Sequence, residues 1–312
     1  MHLFRVRKPP AALQDKRPRG FTLLEVLVGM GIFSLLVVVM MQMLSQSSQL
    51  WVSSKRQVEH AVNSRAVADF LGKDLRSALP PLDRTAKNSL QLVVNPAGLG
   101  AAYLNRDSIF WQAPVSNDLA AGDIAIVGYY VKWVTGNSGE PKSVLVRFFA
   151  QSSDNAGKPN THFLIYSKPT AWVTSALLEE VAPADQANSH AGVFAENVLG
   201  LWVNPQDSRG NSVMVKGAFD SRENAYDDDH DNDSQTPPVN RIFPRWIDVS
   251  ILTVDSAAAS RIDDAMKAAI QGVVTKSESA VECRDSALAT DELRPIHSGL
   301  RFYTTRIFLE NS

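Results

Sequence analysis

The sequence predicts an α+β protein in which a long N-terminal helix precedes an antiparallel, β-rich soluble domain. Two observations carry this prediction. An apolar run that begins at residue 21 passes into a stretch with apolar side chains at helical spacing, and Pro80 and Pro81 end it. From about residue 90 onward, short runs rich in β-branched and aromatic residues alternate with clusters of Gly, Asn, Asp and Pro, the pattern of strands joined by turns.

A basic leader precedes the apolar run. Residues 1–20 contain six basic side chains and one acidic side chain, and the apolar segment over residues 21–44 contains one charge, Glu25. As a helix these 24 residues would be about 36 Å long, enough to cross a hydrocarbon core of about 30 Å. Because the basic residues lie directly before the helix, the positive-inside rule predicts a cytoplasmic leader, with the rest of the chain across the membrane.

A cleaved secretory signal peptide is the alternative for this segment. Such a signal has a short apolar region followed by a small-residue cleavage site. Here the small residue, Gly20, comes before the apolar run, and the run is longer than a signal peptide requires. The order of these features therefore favours a retained membrane helix.

The junction of leader and helix reads Arg-Gly-Phe-Thr-Leu-Leu-Glu over residues 19–25. This motif resembles the signal of type IV pilins and type II secretion pseudopilins. The resemblance implies that prepilin peptidase cuts between Gly20 and Phe21 and methylates the new amino group of Phe21, and that Glu25 is the fifth-position glutamate. It also implies a structural subunit rather than an enzyme. The implied partners are the prepilin peptidase and methyltransferase, other pseudopilins or minor pilins, and an assembly platform in the inner membrane.

Glu25 occupies an unfavourable position for a charge. A carboxylate about one turn into a membrane helix costs about 2.5–3.5 kcal/mol on insertion scales and usually has a partner. Cleavage would create a positive amino group at Phe21, and we expect Glu25 of one subunit to pair with this group on a neighbouring subunit. The alternative is that Glu25 lies near the membrane interface and that its carboxylate reaches the headgroups.

Residues 45–79 are predicted to continue the helix as an amphipathic segment. Polar residues 45–48 lie at the expected membrane exit, and Trp51 suits the membrane interface. The apolar side chains recur at four-residue spacing or lie beside that stripe: Val58, Val62, Ala66 and Phe70, with Val67, Leu71 and Leu75. We expect this apolar face to pack onto the soluble domain.

Residues 80–312 are predicted to form one β-rich globular domain on the periplasmic side. Nine runs have strand character, at residues 90–94, 108–112, 123–134, 143–150, 162–168, 193–204, 212–218, 246–255 and 300–309. The third and fourth of these runs flank a Gly-Asn-Ser-Gly turn and predict a hairpin. One later helix is expected, capped by Ser260 with Asp263 three positions on, and ended by Gly272.

Looser resemblances concern the soluble domain. Residues 65–76 are similar to the end of the first helix of J-type minor pseudopilins, and residues 194–203, 243–255 and 302–309 resemble later strands of that family. The same segments also resemble the larger, prepilin-like cassette protein C family. These resemblances imply a minor pseudopilin of a pseudopilus or pilus that serves type II-like protein secretion. The alternative is a W-like minor pilin that acts in pilus initiation, adhesion or DNA uptake.

Residues 227–233 form an acidic segment that is a candidate calcium site. Asp227, Asp229, Asp231 and Asp233 offer carboxylate oxygens at alternate positions, and Ca²⁺ prefers such hard oxygen ligands. The EF-hand pattern fails, because its sixth position holds Asn232 rather than glycine. A solvated acidic loop is the alternative, and no other cofactor is expected.

Neither catalysis nor nucleic-acid binding is expected. No nucleophile elbow, zinc-binding His pair, P-loop or dinucleotide-binding glycine pattern occurs. The one cysteine, Cys283, lies in a polar stretch and is expected to be a surface or partly buried thiol. Without the leader the chain has 25 basic and 32 acidic residues, and an acidic chain without a basic stripe argues against nucleic acid as a partner. An extracytoplasmic enzyme anchored by the helix is the remaining alternative.

Overall fold

The computed structural model describes residues 21–80, 90–96, 99, 105–114, 124–136, 139–151, 173, 191–222 and 243–309. These residues form a long helix, two antiparallel sheets and a group of short helices, which confirms the predicted α+β class. The chain divides into two compact units, Met1–Gln57 and Val58–Ser312.

The helices and strands have the following bounds. The helices are α1 (Leu23–Arg76), α2 (Ser256–Ala259), α3 (Asp264–Lys276) and α4 (Ala280–Ala289), and a 3-10 helix covers Asp291–Gly299. The strands are β1 (Leu92–Val94), β2 (Ser108–Ala113), β3 (Ala125–Thr135), β4 (Pro141–Gln151), β5 (Ala191–Glu196), β6 (Val198–Gln206), β7 (Phe219–Asp220), β8 (Trp246–Val254) and β9 (Leu300–Phe308).

The first sheet has the strand order β5-β4-β3-β2-β1-β7, and its neighbouring strands are antiparallel. The predicted hairpin is confirmed as β3 and β4, in which Tyr130 pairs with Val146. The first seven residues of β3 are all buried, because both faces of the sheet are covered. One face contributes Trp111 and Tyr129 to a central core, and the other contributes Phe110 and Tyr130 to a second core.

The second sheet has the strand order β6-β8-β9, again antiparallel. On one face, Ile247, Val249 and Ile251 of β8 join the central core together with Leu71 and Leu75 of α1. The opposite face packs against the short helices in a third core. The last turns of α1 therefore lie in the same core as both sheets.

The predicted strand over residues 193–204 is wrong as a single element. The chain forms β5 in the first sheet, turns at Asn197, and continues as β6 in the second sheet. Asn197 has φ of 61°, a left-handed conformation that asparagine tolerates better than most residues. One residue thus moves the chain from one sheet to the other. The predicted strand over residues 212–218 is also wrong, since Ser212 and Val215 form isolated bridges only.

The predicted later helix exists, but both of its predicted ends are wrong. It begins after Asp263, whose side chain accepts a hydrogen bond from the Met266 amide, rather than at Ser260. Gly272 lies inside the helix, which continues to Lys276. An aspartate with extended backbone is a strong N-cap, and a glycine in a helix lowers its stability without having to end it.

Cys283 is more deeply buried than the expected surface or partly buried thiol. It lies on α4 and is 1% exposed, on one buried face with Ala280 and Ala287. Burial raises the pKa of the Cys283 thiol to about 11. A thiol with this pKa is protonated at neutral pH and is a poor nucleophile.

Asp107 is a buried carboxylate where the two sheets meet. Its Oδ1 accepts a hydrogen bond from Asn95 Nδ2 at 2.8 Å, and its Oδ2 accepts one from the Val203 amide of β6, also at 2.8 Å. Burial raises the pKa of Asp107 above 3.8, against the opposing effect of these hydrogen bonds and of Arg106. The carboxylate therefore links Asn95, the residue after β1, to β6, and its burial disfavours the charged form.

We expect an Asp107→Asn variant to change how stability depends on pH. Because the pKa of Asp107 is higher in the folded chain, its stabilising contribution is complete below 3.8 and is lost as pH rises through the window above that value. Asparagine does not titrate, so the free energy of unfolding of wild type minus that of the variant should fall between about pH 3 and about pH 7. Chemical denaturation at the two pH values measures the free energy of unfolding of both chains. If the difference between wild type and variant does not change with pH, the prediction is contradicted.

Candidate processing and assembly site

A reciprocal hydrogen-bonded cap forms the start of α1. Thr22 donates from its backbone amide and from its hydroxyl to Glu25 Oε2, at 3.0 and 2.9 Å. The Glu25 amide donates in return to Thr22 Oγ1 at 3.3 Å, and the Thr22 carbonyl accepts the first helical hydrogen bond, from Val26 at 3.2 Å. This is a capping box, in which residues three apart satisfy amides that the first helical turn leaves unpaired.

The capping box gives Glu25 hydrogen-bond partners within its own chain. A carboxylate at the first turn also interacts favourably with the positive end of the helix dipole. Both effects lower the cost of placing the charge in a membrane. Pairing of Glu25 with Phe21 of a neighbouring subunit stays a prediction, and Gly20 lies outside the described residues.

The apolar part of α1 is exposed along its whole length. Leu23–Val52 is long and apolar enough to cross a membrane, with a mean hydropathy of 2.6 over its most apolar window and none of that window buried. Phe21, at the start of this segment, is 85% exposed. An exposed helix of this length and hydropathy is unfavourable in water, and a bilayer supplies an apolar environment that the described residues do not.

The amphipathic part of α1 packs on a different face from the one predicted. Leu71 and Leu75 are fully buried, as expected, but Val58 and Val62 are 63% and 60% exposed, and Phe70 is 47% exposed. The buried face is instead made by Leu71 and Leu75 together with smaller residues: Ser64, Ala68 and Gly72. Val58, Val62 and Phe70 share one stripe, whereas the sheets cover the neighbouring face of the helix, which carries Leu71 and Leu75.

A polar triad anchors the last turns of α1 to the first sheet. Asp74 Oδ2 accepts hydrogen bonds from the Tyr129 hydroxyl of β3 at 2.7 Å and from Arg147 Nε of β4 at 2.8 Å. Arg147 Nε also lies 3.2 Å from the Tyr129 hydroxyl. Burial and the Asp74 carboxylate raise the pKa of Tyr129, so its hydroxyl remains a donor. Burial would lower the pKa of Arg147, but Asp74 and Tyr129 outweigh it and raise that pKa.

The acidic segment cannot be placed in this architecture. Asp227, Asp229, Asp231 and Asp233 all lie outside the described residues, so calcium binding there stays a prediction. Within the described ranges, no group of three or more His, Cys, Asp and Glu side chains could hold a metal ion.

The sequence predicts roles for Phe21 and Glu25 but not for Thr22 and the polar triad, which hold α1 at its two ends. Thr22 had a visible signal, because Thr followed three positions later by Glu is the sequence pattern of a capping box. The triad had no comparable signal, since Tyr129 and Arg147 lie 55 and 73 positions from Asp74.

The N-terminal segment matches a known protein family. Residues 15–41 match the family described as the prokaryotic N-terminal methylation motif. The match includes Gly20, Phe21 and Glu25, and it confirms the resemblance on which the processing site was predicted. Comparison with curated proteins and with solved structures gave no match. The finer resemblances of the soluble domain therefore stay predictions.

Proposed function

We propose that the chain, a member of the type IV pilin and pseudopilin superfamily by its N-terminal motif, is a minor pseudopilin. In this role it is a structural subunit of a pseudopilus or pilus that serves type II-like protein secretion. Prepilin peptidase cuts it between Gly20 and Phe21 and methylates Phe21. The processed subunit then joins other pseudopilins through the inner-membrane assembly platform.

One observation carries this proposal. The methylation motif at residues 15–41 includes the first part of a capped apolar helix that is exposed throughout Leu23–Val52. An anchor for an enzyme would need the apolar helix but not the glutamate inside it. A subunit whose helix packs against the helices of other subunits uses the apolar helix and the glutamate. A buried carboxylate needs a partner, and this pairing would fix the register between neighbouring helices.

The proposed location follows from the charge of the leader. Its six basic residues favour a cytoplasmic leader, so the β-rich domain lies in the periplasm. The subunit is anchored in the inner membrane by a single helix until it is assembled.

Glu25 variants test this function. A Glu25→Ala chain should insert into the membrane and lose its leader, yet its amount in sheared filaments should fall at least about tenfold, because the filament contact loses a charge that a buried partner requires. Glu25→Gln keeps an acceptor for Thr22 but lacks the charge, whereas Thr22→Val keeps the charge but removes the hydroxyl. The measurement is the ratio of filament to membrane protein for each variant.

The three variants separate two roles of Glu25. If the charge is needed, Glu25→Gln should resemble Glu25→Ala and Thr22→Val should assemble. If only the helix cap matters, Glu25→Gln should assemble nearly normally. Normal incorporation of Glu25→Ala would contradict a filament subunit that uses this residue, and a wild-type chain absent from filaments would contradict the proposed function.

A further inference from the structure

A groove opens where the chain passes from β5 to β6. It has a volume of about 490 Å³ and an apolar lining that includes Val67 and Phe70 of α1, Phe194 of β5, and Ile251 of β8. The Phe70 and Phe194 rings pack with their centroids 5.4 Å apart. This size and lining suit a pocket that receives apolar side chains.

Among the residues that the structure describes, the rim of the groove carries one charge, on Glu196. Its side chain is exposed, and its carboxylate makes no hydrogen bond or ion pair within the described part of the chain. An occupant that complements this surface therefore needs apolar side chains and a neighbouring cation.

The exposed face of α1 carries both apolar side chains and a neighbouring cation. Val58 and Val62 are 63% and 60% exposed and lie one turn apart, and Arg65 follows on the same side of the helix. Arg65 Nε lies 3.7 Å from Asp69 Oδ2, and the two side chains are 74% and 66% exposed. An ion pair this exposed contributes little stability, so Arg65 can exchange its partner at small cost.

We propose that Val58, Val62 and Arg65 of one copy dock in the groove of a second copy, where Arg65 pairs with Glu196. The proposal rests on the proposed function, because two copies anchored in one membrane have parallel helices. Val58 and Val62 precede the groove residues Ala66 and Phe70 by eight positions, so neighbouring helices would be staggered by about 12 Å.

This contact joins two different surfaces of the same chain. Such a heterologous contact leaves one free groove and one free helix face at the ends of every assembly, and repetition produces an open helical array. The soluble units would thereby set the spacing of subunits together with the membrane helices.

Charge reversal in the full-length chain tests the pairing. Glu196→Arg or Arg65→Glu alone should lower the yield of cross-linked dimers in membranes at least about tenfold, and the two together in one chain should restore it. Glu292→Arg is a matched control, since Glu292 is exposed on the 3-10 helix and does not line the groove. If all variants melt at the wild-type temperature, misfolding is excluded as the cause of a lower dimer yield.

Cysteine pairs measure the contact itself. Copies with Val62→Cys and copies with Ser256→Cys, carrying different tags, should form a mixed disulfide only when both are present. Ser256 is exposed and lines the groove, and Val281→Cys on α4 is a control for an exposed helical valine. Absence of the mixed disulfide, or single charge reversals with wild-type yield, would overturn the proposal. A disulfide from Ser256→Cys to a different protein alone would also overturn it.

The mass of the same samples separates this proposal from the proposed function. A chain that has lost residues 1–20 and enters filaments without forming the mixed disulfide would overturn the groove contact alone. A chain that keeps its leader would contradict the proposed function.

Discussion

A Gly20→Val chain should keep residues 1–20 and lack the methyl group on Phe21. The wild-type chain, extracted from membranes, should have the mass of residues 21–312 plus one methyl group. The branched side chain of valine would replace glycine at the residue before the predicted cut, within the matched residues 15–41. We expect processing to be abolished rather than slowed, and intact mass spectrometry distinguishes the two forms.

Gly29→Val is the matched control for this variant. A Cβ at Gly29 meets no described atom within 4 Å, and Gly29 lies nine positions after Gly20, inside the apolar segment Leu23–Val52. This variant should be cut and methylated as the wild type is. A Gly20→Val chain that loses its leader, or a wild-type chain that keeps it in cells with active prepilin peptidase, would show that the cut is not at this site.

Removing the Asp74 carboxylate should strongly destabilise the soluble unit. An Asp74→Ala variant leaves the Arg147 guanidinium and the Tyr129 hydroxyl without their shared acceptor. Breaking a buried ion pair on one side costs about 3–5 kcal/mol. The Asp74 and Arg147 side chains are 13% and 24% exposed, so water relieves part of this cost and we expect a loss of about 3 kcal/mol. Denaturation of the detergent-solubilised chain measures the change.

Two further variants test the cause of this loss. Asp69→Ala breaks the exposed Arg65–Asp69 pair on the same helix and should change stability by less than about 1 kcal/mol. Adding Arg147→Met to Asp74→Ala removes the uncompensated charge and should recover part of the stability. A loss below about 1 kcal/mol for Asp74→Ala would mean that α1 is held by the apolar core alone.

The sequence predicts the start of the chain well because the determinants there are local. The basic leader, the apolar run and Glu25 lie within a few turns of one helix, and hydropathy alone identifies the segment that can enter a membrane. The hairpin of β3 and β4 is local as well, with its turn marked by glycine and asparagine.

The elements that the sequence does not predict depend on distant partners. At Asn197 the chain leaves the first sheet and enters the second, whereas the sequence of residues 193–204 alone predicts one strand. Helix α4 is difficult to predict from the sequence because most of its residues are polar or small. Its buried face is narrow and consists of Ala280, Cys283 and Ala287. The exposure of Val58 and Val62 likewise depends on which face of α1 the sheets cover.

The hydrogen bonds of the capping box should survive cleavage of the leader. Its hydrogen bonds use the amide and hydroxyl of Thr22 and the carboxylate of Glu25. A cut between Gly20 and Phe21, followed by methylation of Phe21, alters none of these atoms. If the chain is processed as proposed, the precursor and the mature subunit would share the same first helical turn, and the new amino group would arise four residues before a carboxylate that already accepts hydrogen bonds from Thr22. Maturation would thus change the charge at the end of the helix without any refolding of the helix itself.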